Sequence, residues 1–235
     1  QLSITSKSIK SKDMTVEKPA DVPYNGKVQQ QKPVVKDGEK TLVEGTDYTL
    51  SYSDDATNVG TVTVTVNGKG NYSGSVDVTY QITKRSVVLT SETASKPYDG
   101  TPLTKPDVTV AGDGFVEGEV SNICATGSVT TVAEGEVTNA IEFDKSEAFK
   151  SGNYDIAKNE GKLSITELSA ENGLTIKPNS VDYTYDATRH AAAAATAKAS
   201  VSGTKVYLEY RVKGTTDDNW TSDPATITAV NAGVT

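Results

Sequence analysis

From Thr61 to Val66 threonine and valine alternate without a break, which puts the valines on one face and the threonines on the other. Strict period two marks a half-buried β-strand, because successive side chains leave a strand on opposite sides. The same alternation runs through Tyr48, Leu50 and Tyr52, through Val76, Val78, Tyr80 and Ile82, and through Val206, Leu208, Tyr210 and Val212. Asn67-Gly68-Lys69-Gly70-Asn71-Tyr72-Ser73-Gly74 separates two of these runs, and its glycines and asparagines take positive φ at little cost, so a hairpin is expected there. Only Ala191–Ala199 has a helix-forming composition. Bounded by Gly173, Pro178 and Gly203, it reads better as a small-residue strand or irregular segment running into Val201. Short strands with turn signals between them, and no helical period, predict an all-β chain in which two antiparallel sheets form a sandwich.

The pattern repeats. Leu2-Ser3-Ile4-Thr5 returns as Tyr80-Gln81-Ile82-Thr83 and as Leu163-Ser164-Ile165-Thr166, about 80 residues apart. Pro23-Tyr24-Asn25-Gly26 returns as Pro97-Tyr98-Asp99-Gly100 and as Thr184-Tyr185-Asp186-Ala187, and Gly70-Asn71-Tyr72 as Gly152-Asn153-Tyr154. A fixed period marks an array of small units. Residues 1–9 are expected to be the last strand of a preceding module or a leader strand. Residues 10–84 are the first module, 85–167 the second, and 168–235 a third that is incomplete at its C-terminal side. The junctions at Thr83–Ser86 and Thr166–Ser169 carry no Pro-rich or Gly/Ser-rich tether, which predicts a semi-rigid rod. At ~3.3 Å per residue each module is roughly 35–40 Å long, and the chain about 100 Å.

Asn-Gly and Asp-Gly are strong turn signals, and the proline before the tyrosine presets φ for entering the turn. The recurring tyrosines are expected to pack on the core edge with the hydroxyl bonded to backbone, as tyrosine corners do in sandwiches. Ala187 in place of glycine predicts either strain at positive φ or a different turn. Metal binding by Asp99 or Asp186 and sugar stacking on Tyr24, Tyr98 or Tyr185 are the functional alternatives, and turn architecture is the stronger reading.

Tyr98-Asp99-Gly100-Thr101-Pro102-Leu103, then Asn58-Val59-Gly60 or Asn231-Ala232-Gly233, Gly-Asn-Tyr and a closing strand ending in Ile-Thr together resemble the tandem MBG/YDG-type immunoglobulin-like repeats of large bacterial surface proteins. The resemblance covers nearly the whole chain. It implies tandem immunoglobulin-like β-sandwich modules arranged end to end, in an extracellular stalk of adhesin-like proteins, and it brings no catalytic residues. Departures are Ala187, the longer acidic middle of the second module (Gly112–Glu147) and the missing end of the third.

Composition narrows the function classes. Apolar residues make up 35% of the chain, which suits thin-cored β-modules better than one large core. The net charge is −8, and each of the three segments 6–83, 84–166 and 167–235 has more acidic than basic side chains, so a nucleic-acid partner is not expected. One cysteine, Cys124, excludes an intrachain disulfide, as in many bacterial surface modules. No stretch approaches 18 apolar residues, so no membrane-spanning helix is expected. The chain opens in mid-strand, as a piece of a longer polypeptide with its export signal and anchor elsewhere.

Candidate chemistry is sparse. His190 is the only histidine, so Ser-His-Asp or Cys-His catalysis depends on it alone, beside a polyalanine run. Cys124 reads as a small core residue in a strand, and zinc sites of Cys and His fail on number. The acidic pairs Asp54-Asp55 and Asp217-Asp218-Asn219 offer oxygen ligands for calcium but lack a known loop spacing, so solvated turns are expected. Asp182 and Asp186 are the acids in an aromatic setting, beside Tyr183 and Tyr185, without the cleft that glycoside hydrolysis needs. Trp220 reads as a core or edge residue, with a sugar platform as the alternative. No distinctive motif signals an intramolecular Lys–Asn or Lys–Asp isopeptide bond. No catalytic, cofactor-binding or metal-binding residue is assigned, and no cofactor is expected.

The expected function is a non-enzymatic stalk segment at a bacterial cell surface or wall, projecting distal domains, with neighbouring modules as its partners. Two alternatives stand beside it. One is an adhesive module that binds host glycan or matrix protein through Gly112–Glu119 and Thr215–Asp223. The other is an accessory module of a large extracellular glycoside hydrolase. Because Leu2–Ile9 has a closing-strand sequence and the third module lacks that strand, strand exchange between molecules is a further expectation.

Overall fold

The computed structural model describes residues 3–53, 55–179, 181–182, 184, 186–191, 193–202, 206, 208, 222 and 228–229. Among them the chain is all-β, with several sheets, two short 3-10 turns at Val132–Glu134 and Ser151–Asn153, and no α-helix.

Strict alternation makes the longest strands. Gly60–Gly68 and Ser75–Thr83 pair antiparallel from Gly60 opposite Ile82 to Asn67 opposite Ser75, and Val62, Val64 and Val66 are fully buried between less buried threonines. Tyr48–Tyr52 joins one side antiparallel, and Val22–Pro23 joins the other in parallel, completing a four-stranded sheet. A second group holds Met14–Glu17, Val34–Asp37 and Lys40–Thr41, with Lys7–Ser8 pairing in parallel with Tyr72–Ser73. Ile9, Val35, Leu42, Tyr48, Val66 and Tyr72 from both groups form one buried cluster, the arrangement of a β-sandwich.

Two local outcomes refine the expectations. The loop after Gly68 carries a short strand, Tyr72–Ser73, inside the anticipated hairpin. It returns so tightly that a Cβ on Gly68 would stand 2.6 Å from the Ser73 nitrogen, which is why glycine is needed there. Residues 7–9 belong to this first sandwich, since Lys7–Ser8 is hydrogen-bonded to it and Ile9 lies in its core.

After Thr83 a single residue, Lys84, separates the strands, and Arg85–Ser91 begins at once. It pairs antiparallel with Val108–Gly112 and parallel with Tyr154–Asn159, while Val120–Ala125 pairs with Ile141–Lys145 across a bulge between Ser121 and Cys124. Val87, Leu89, Ile141 and Tyr154 share one buried cluster with Tyr24, Val62, Val64, Tyr80 and Ile82. One compact unit therefore comprises Gln1–Glu92, Pro106–Thr126 and Ala140–Glu160.

The other unit is Thr93–Lys105, Gly127–Asn139 and Gly161–Thr235. In it Ala94–Pro97 runs parallel to Gly161–Thr166, Val137–Asn139 runs antiparallel to the same strand, and Leu103–Thr104 pairs with Ser128–Val129. Val129, Leu163 and Ile165 form its small core. The second junction is longer than the first: Glu167–Gly173 forms a turn before Leu174–Lys177. The alanine-rich stretch is extended, as His190–Ala191 and Thr196–Ala199, the latter paired with Leu174–Lys177. Val206 and Leu208 lie outside strands, and Tyr210 and Val212 lie outside the described residues.

Candidate functional site

The three marker turns share one local geometry. The Asx side-chain oxygen accepts the N–H two residues on: Asn25 from Lys27 at 2.9 Å, Asp99 from Thr101 at 2.8 Å and Asp186 from Thr188 at 2.9 Å. The residue after each is left-handed, with φ of 75° at Gly26, 78° at Gly100 and 60° at Ala187. Ala187 thus keeps the turn at a steric cost of about 1–2 kcal/mol that the glycines escape. The tyrosine backbone ties the turn to the closing strand, with Tyr24 N–H donating to the Thr83 carbonyl at 2.9 Å and Tyr98 N–H to that of Thr166 at 3.0 Å.

The first turn leads into a buried polar cluster in the first compact unit. The Tyr24 hydroxyl donates to Glu119 Oε1 at 2.6 Å, and the Tyr154 hydroxyl donates to Glu119 Oε2 at 2.7 Å. Glu119 and both tyrosines are buried. The rings meet edge to face at 5.6 Å and 81°, and Phe149 stacks on Tyr154 at 5.3 Å. The Val116 N–H donates to the Tyr154 oxygen at 3.1 Å. Each carboxylate oxygen thus keeps a short charge-assisted bond after losing water. Burial first, then the neighbouring Glu119, raises the pKa of both phenols above the ordinary tyrosine value.

Two further grips surround this cluster. Arg85 donates from Nε to the Gly114 carbonyl at 2.7 Å, from Nη1 to that of Tyr24 at 3.3 Å, and from Nη2 to that of Asp113. Asn153 accepts the Val59 N–H at 3.0 Å and donates to Asn58 Oδ1 at 2.9 Å. The Asn58-Val59 and Gly-Asn-Tyr motifs therefore meet within the first compact unit. Chemically the arrangement is a fastener: among the described residues no buried side-chain nitrogen or oxygen lacks a hydrogen-bond partner.

The loop Gly112–Glu119, which the adhesive alternative would use for binding, is partly consumed by this fastener. Glu119 is buried, Phe115 and Val116 pack on the shared core, and two of its carbonyls face Arg85. Asn58 belongs to the Asn-Val-Gly motif, whereas no local pattern marks Glu119 as buried, because its partner Tyr24 lies 95 residues away.

Other candidates fall as follows. His190 Nε2 lies 2.8 Å from Asp186 Oδ1 and 3.4 Å from Thr188 Oγ1. Asp186 is held down to about 2 by the Thr188 hydroxyl first, then its N–H and His190. Asp99 is held to about 2 by Lys96 first and then Thr101, with Lys96 Nζ 2.8 Å from Asp99 Oδ1. Asp55 accepts backbone N–H groups from Thr57 and Asn58 and the Asn58 amide, which hold it to about 2. These are turn carboxylates satisfied within the turn. Cys124 sits in a strand but is only half-buried, on the wall of an open cavity of about 390 Å³ shared with Asn122, Phe143, Lys145 and Lys158. The bulge beside it explains the difference from a core position. Asp182 lies outside strands. Asp54, Tyr183, Tyr185, Asp217, Asp218, Asn219, Trp220 and nearly all of Thr215–Asp223 lie outside the described residues.

Among the described residues there is no cluster of three or more His, Cys, Asp or Glu able to hold a metal, and no helix long and apolar enough to cross a membrane. Comparison of the chain with protein-family models, with curated proteins and with solved structures finds no match.

Proposed function

We propose that this chain is a non-enzymatic structural segment of a bacterial cell-surface, adhesin-like protein, built of tandem immunoglobulin-like β-modules that project other domains outward. One observation supports it above the rest: the buried Tyr24–Glu119–Tyr154 fastener across a one-residue junction. A junction with its own core and paired hydrogen-bonding groups resists bending, and a stalk converts stiff junctions into reach. The motif resemblance to MBG/YDG-type repeats, the shared geometry of the marker turns and the absence of disulfides fit the same reading. Backbone 15N relaxation tests it. Amides of residues 10–84 and of 106–126 and 140–160 are expected to report one common tumbling tensor, and separate tumbling would remove the rigid-stalk reading.

One feature favours an adhesive module as the second reading. The cavity beside Phe143 carries an aromatic ring, the Lys145 and Lys158 ammonium groups over it at 5.7 and 5.5 Å, and the amide of Asn122. A screen of glycans and matrix proteins against the whole chain decides it. Binding lost in Lys145→Ala supports adhesion, and no binding at millimolar concentration removes it.

A further inference from the structure

The cavity beside Phe143 lies where the sheet is irregular. Val120–Ala125 pairs with Ile141–Lys145 across the bulge between Ser121 and Cys124, and Asn122 within it is left-handed, with φ of 51°. A bulge breaks the ladder and bends its strand, and the cavity opens beside it. Its volume of about 390 Å³ is at the small end of ligand pockets.

The lining keeps opposite charges apart. Lys145 and Lys158 hold their ammonium groups 5.7 and 5.5 Å from the Phe143 ring centre, and Lys145 stands 5.3 Å from that of Phe149. Glu142 and Asp144 line the same cavity. Among the described residues, however, neither lysine is ion-paired with a carboxylate. Lys158 donates to the Ile141 carbonyl, and Asp144 accepts the Asn122 amide at 2.7 Å. Strand alternation gives the reason, since Phe143 and Lys145 leave Ile141–Lys145 on one side, and Glu142 and Asp144 on the other. A ligand in the cavity therefore meets ammonium groups and an aromatic ring at one end, and carboxylate acceptors at the other.

We infer that this cavity binds a carboxylate-bearing sugar, a single uronic-acid unit. The inference deepens the adhesive reading and rests on it. The sugar carboxylate takes the Lys145 and Lys158 ammonium groups, which have donors to spare and no competing acid to release. A C–H face of the sugar ring covers Phe143, and hydroxyls on the far side of the ring donate to Glu142 and Asp144. A neutral sugar leaves both ammonium groups unused, and an acidic peptide side chain brings no hydroxyls to the two acids. A uronic acid carries both kinds of group, at opposite ends of one ring.

NMR titration of the 15N-labelled whole chain with methyl glucuronide, and separately with methyl glucoside, tests this. Amides of Asn122, Cys124, Phe143, Lys145 and Lys158 are expected to shift and saturate at millimolar glucuronide. The glucoside is expected to bind at least tenfold more weakly, the fold-change of one lost charge-assisted contact. Lys145→Met is expected to remove that preference with an unchanged thermal midpoint, because Lys145 is exposed, whereas Lys145→Arg keeps it. Cys124 is the chain's one cysteine and lies on the cavity wall, so glucuronide is also expected to slow its alkylation by N-ethylmaleimide. Equal binding of both sugars, or a parent-like preference in Lys145→Met, overturns the inference and leaves the adhesive reading standing. Saturation by neither sugar, or responsive amides away from the cavity, also overturns it, and the adhesive reading is then decided by the matrix proteins of its own screen.

Discussion

The turns at Tyr24–Gly26 and Tyr98–Gly100 have almost the same sequence, the same left-handed glycine and the same tie to the closing strand, yet their surroundings differ completely. Tyr24 is buried and bonded to a buried carboxylate, and Gly26 faces Val116. Tyr98 only packs against a core of three residues, and Asp99 is neutralised at the surface by Lys96. The motif encodes the bend, and the neighbour decides whether the bend becomes a fastened joint. The third turn pushes the point further, since Ala187 makes the same bend without glycine.

Substitution should separate the two turns most at the acids. Glu119→Ala leaves two buried phenols without acceptors and is expected to cost roughly 2–4 kcal/mol in urea unfolding. Asp99→Ala, whose partner Lys96 can turn to water, is expected to shift the midpoint little. Equal losses at both sites would erase the distinction.

Next in size are the glycines. A Cβ at Gly26 would stand 2.8 Å from Val116 Cγ1, against 3.3 Å from Val201 Cγ1 at Gly100. Gly26→Ala is expected to cost more than the ~1–2 kcal/mol of left-handed strain alone, and Gly100→Ala about that amount. Thermal unfolding of the two variants ranks them directly. Ala187→Gly removes the same strain and is expected to stabilise by up to about 1 kcal/mol, net of the entropy glycine gains when unfolded. A loss of stability there would mean that the turn is held for another reason.

The smallest effect is with pH. Asp99 and Asp186 are depressed to about 2 from an ordinary value of 3.8. Their contribution is therefore complete above about pH 4 and fades as pH falls towards 2, where the bound protons cancel it. NMR titration should place both carboxyls near 2, and a value near 4 for Asp99 would show that Lys96 does not hold it.

Much of the fold was legible from local chemistry. Alternation at Thr61–Val66 and Val76–Ile82 and the Asn-Gly and Asp-Gly signals located strands and turns that the structure contains, because period and turn residue are short-range properties. The strand Tyr72–Ser73 has no signal within its Gly- and Asn-rich loop, because its partner, Lys7–Ser8, is far away in sequence. Burial of Glu119 has no local signal for the same reason: its environment is supplied by Tyr24 and Tyr154, and no spacing within the loop announces them. Cys124 missed the core because a bulge re-aims its strand, a feature without a residue signature here.

A double-mutant cycle between Tyr24→Phe and Glu119→Ala, followed by urea unfolding of the whole chain, addresses the fastened junction most directly. The account predicts a coupling energy of about 1–3 kcal/mol across these residues. Additivity to within ~0.5 kcal/mol would contradict it, since the two side chains would then contribute independently and the junction would have no shared polar core.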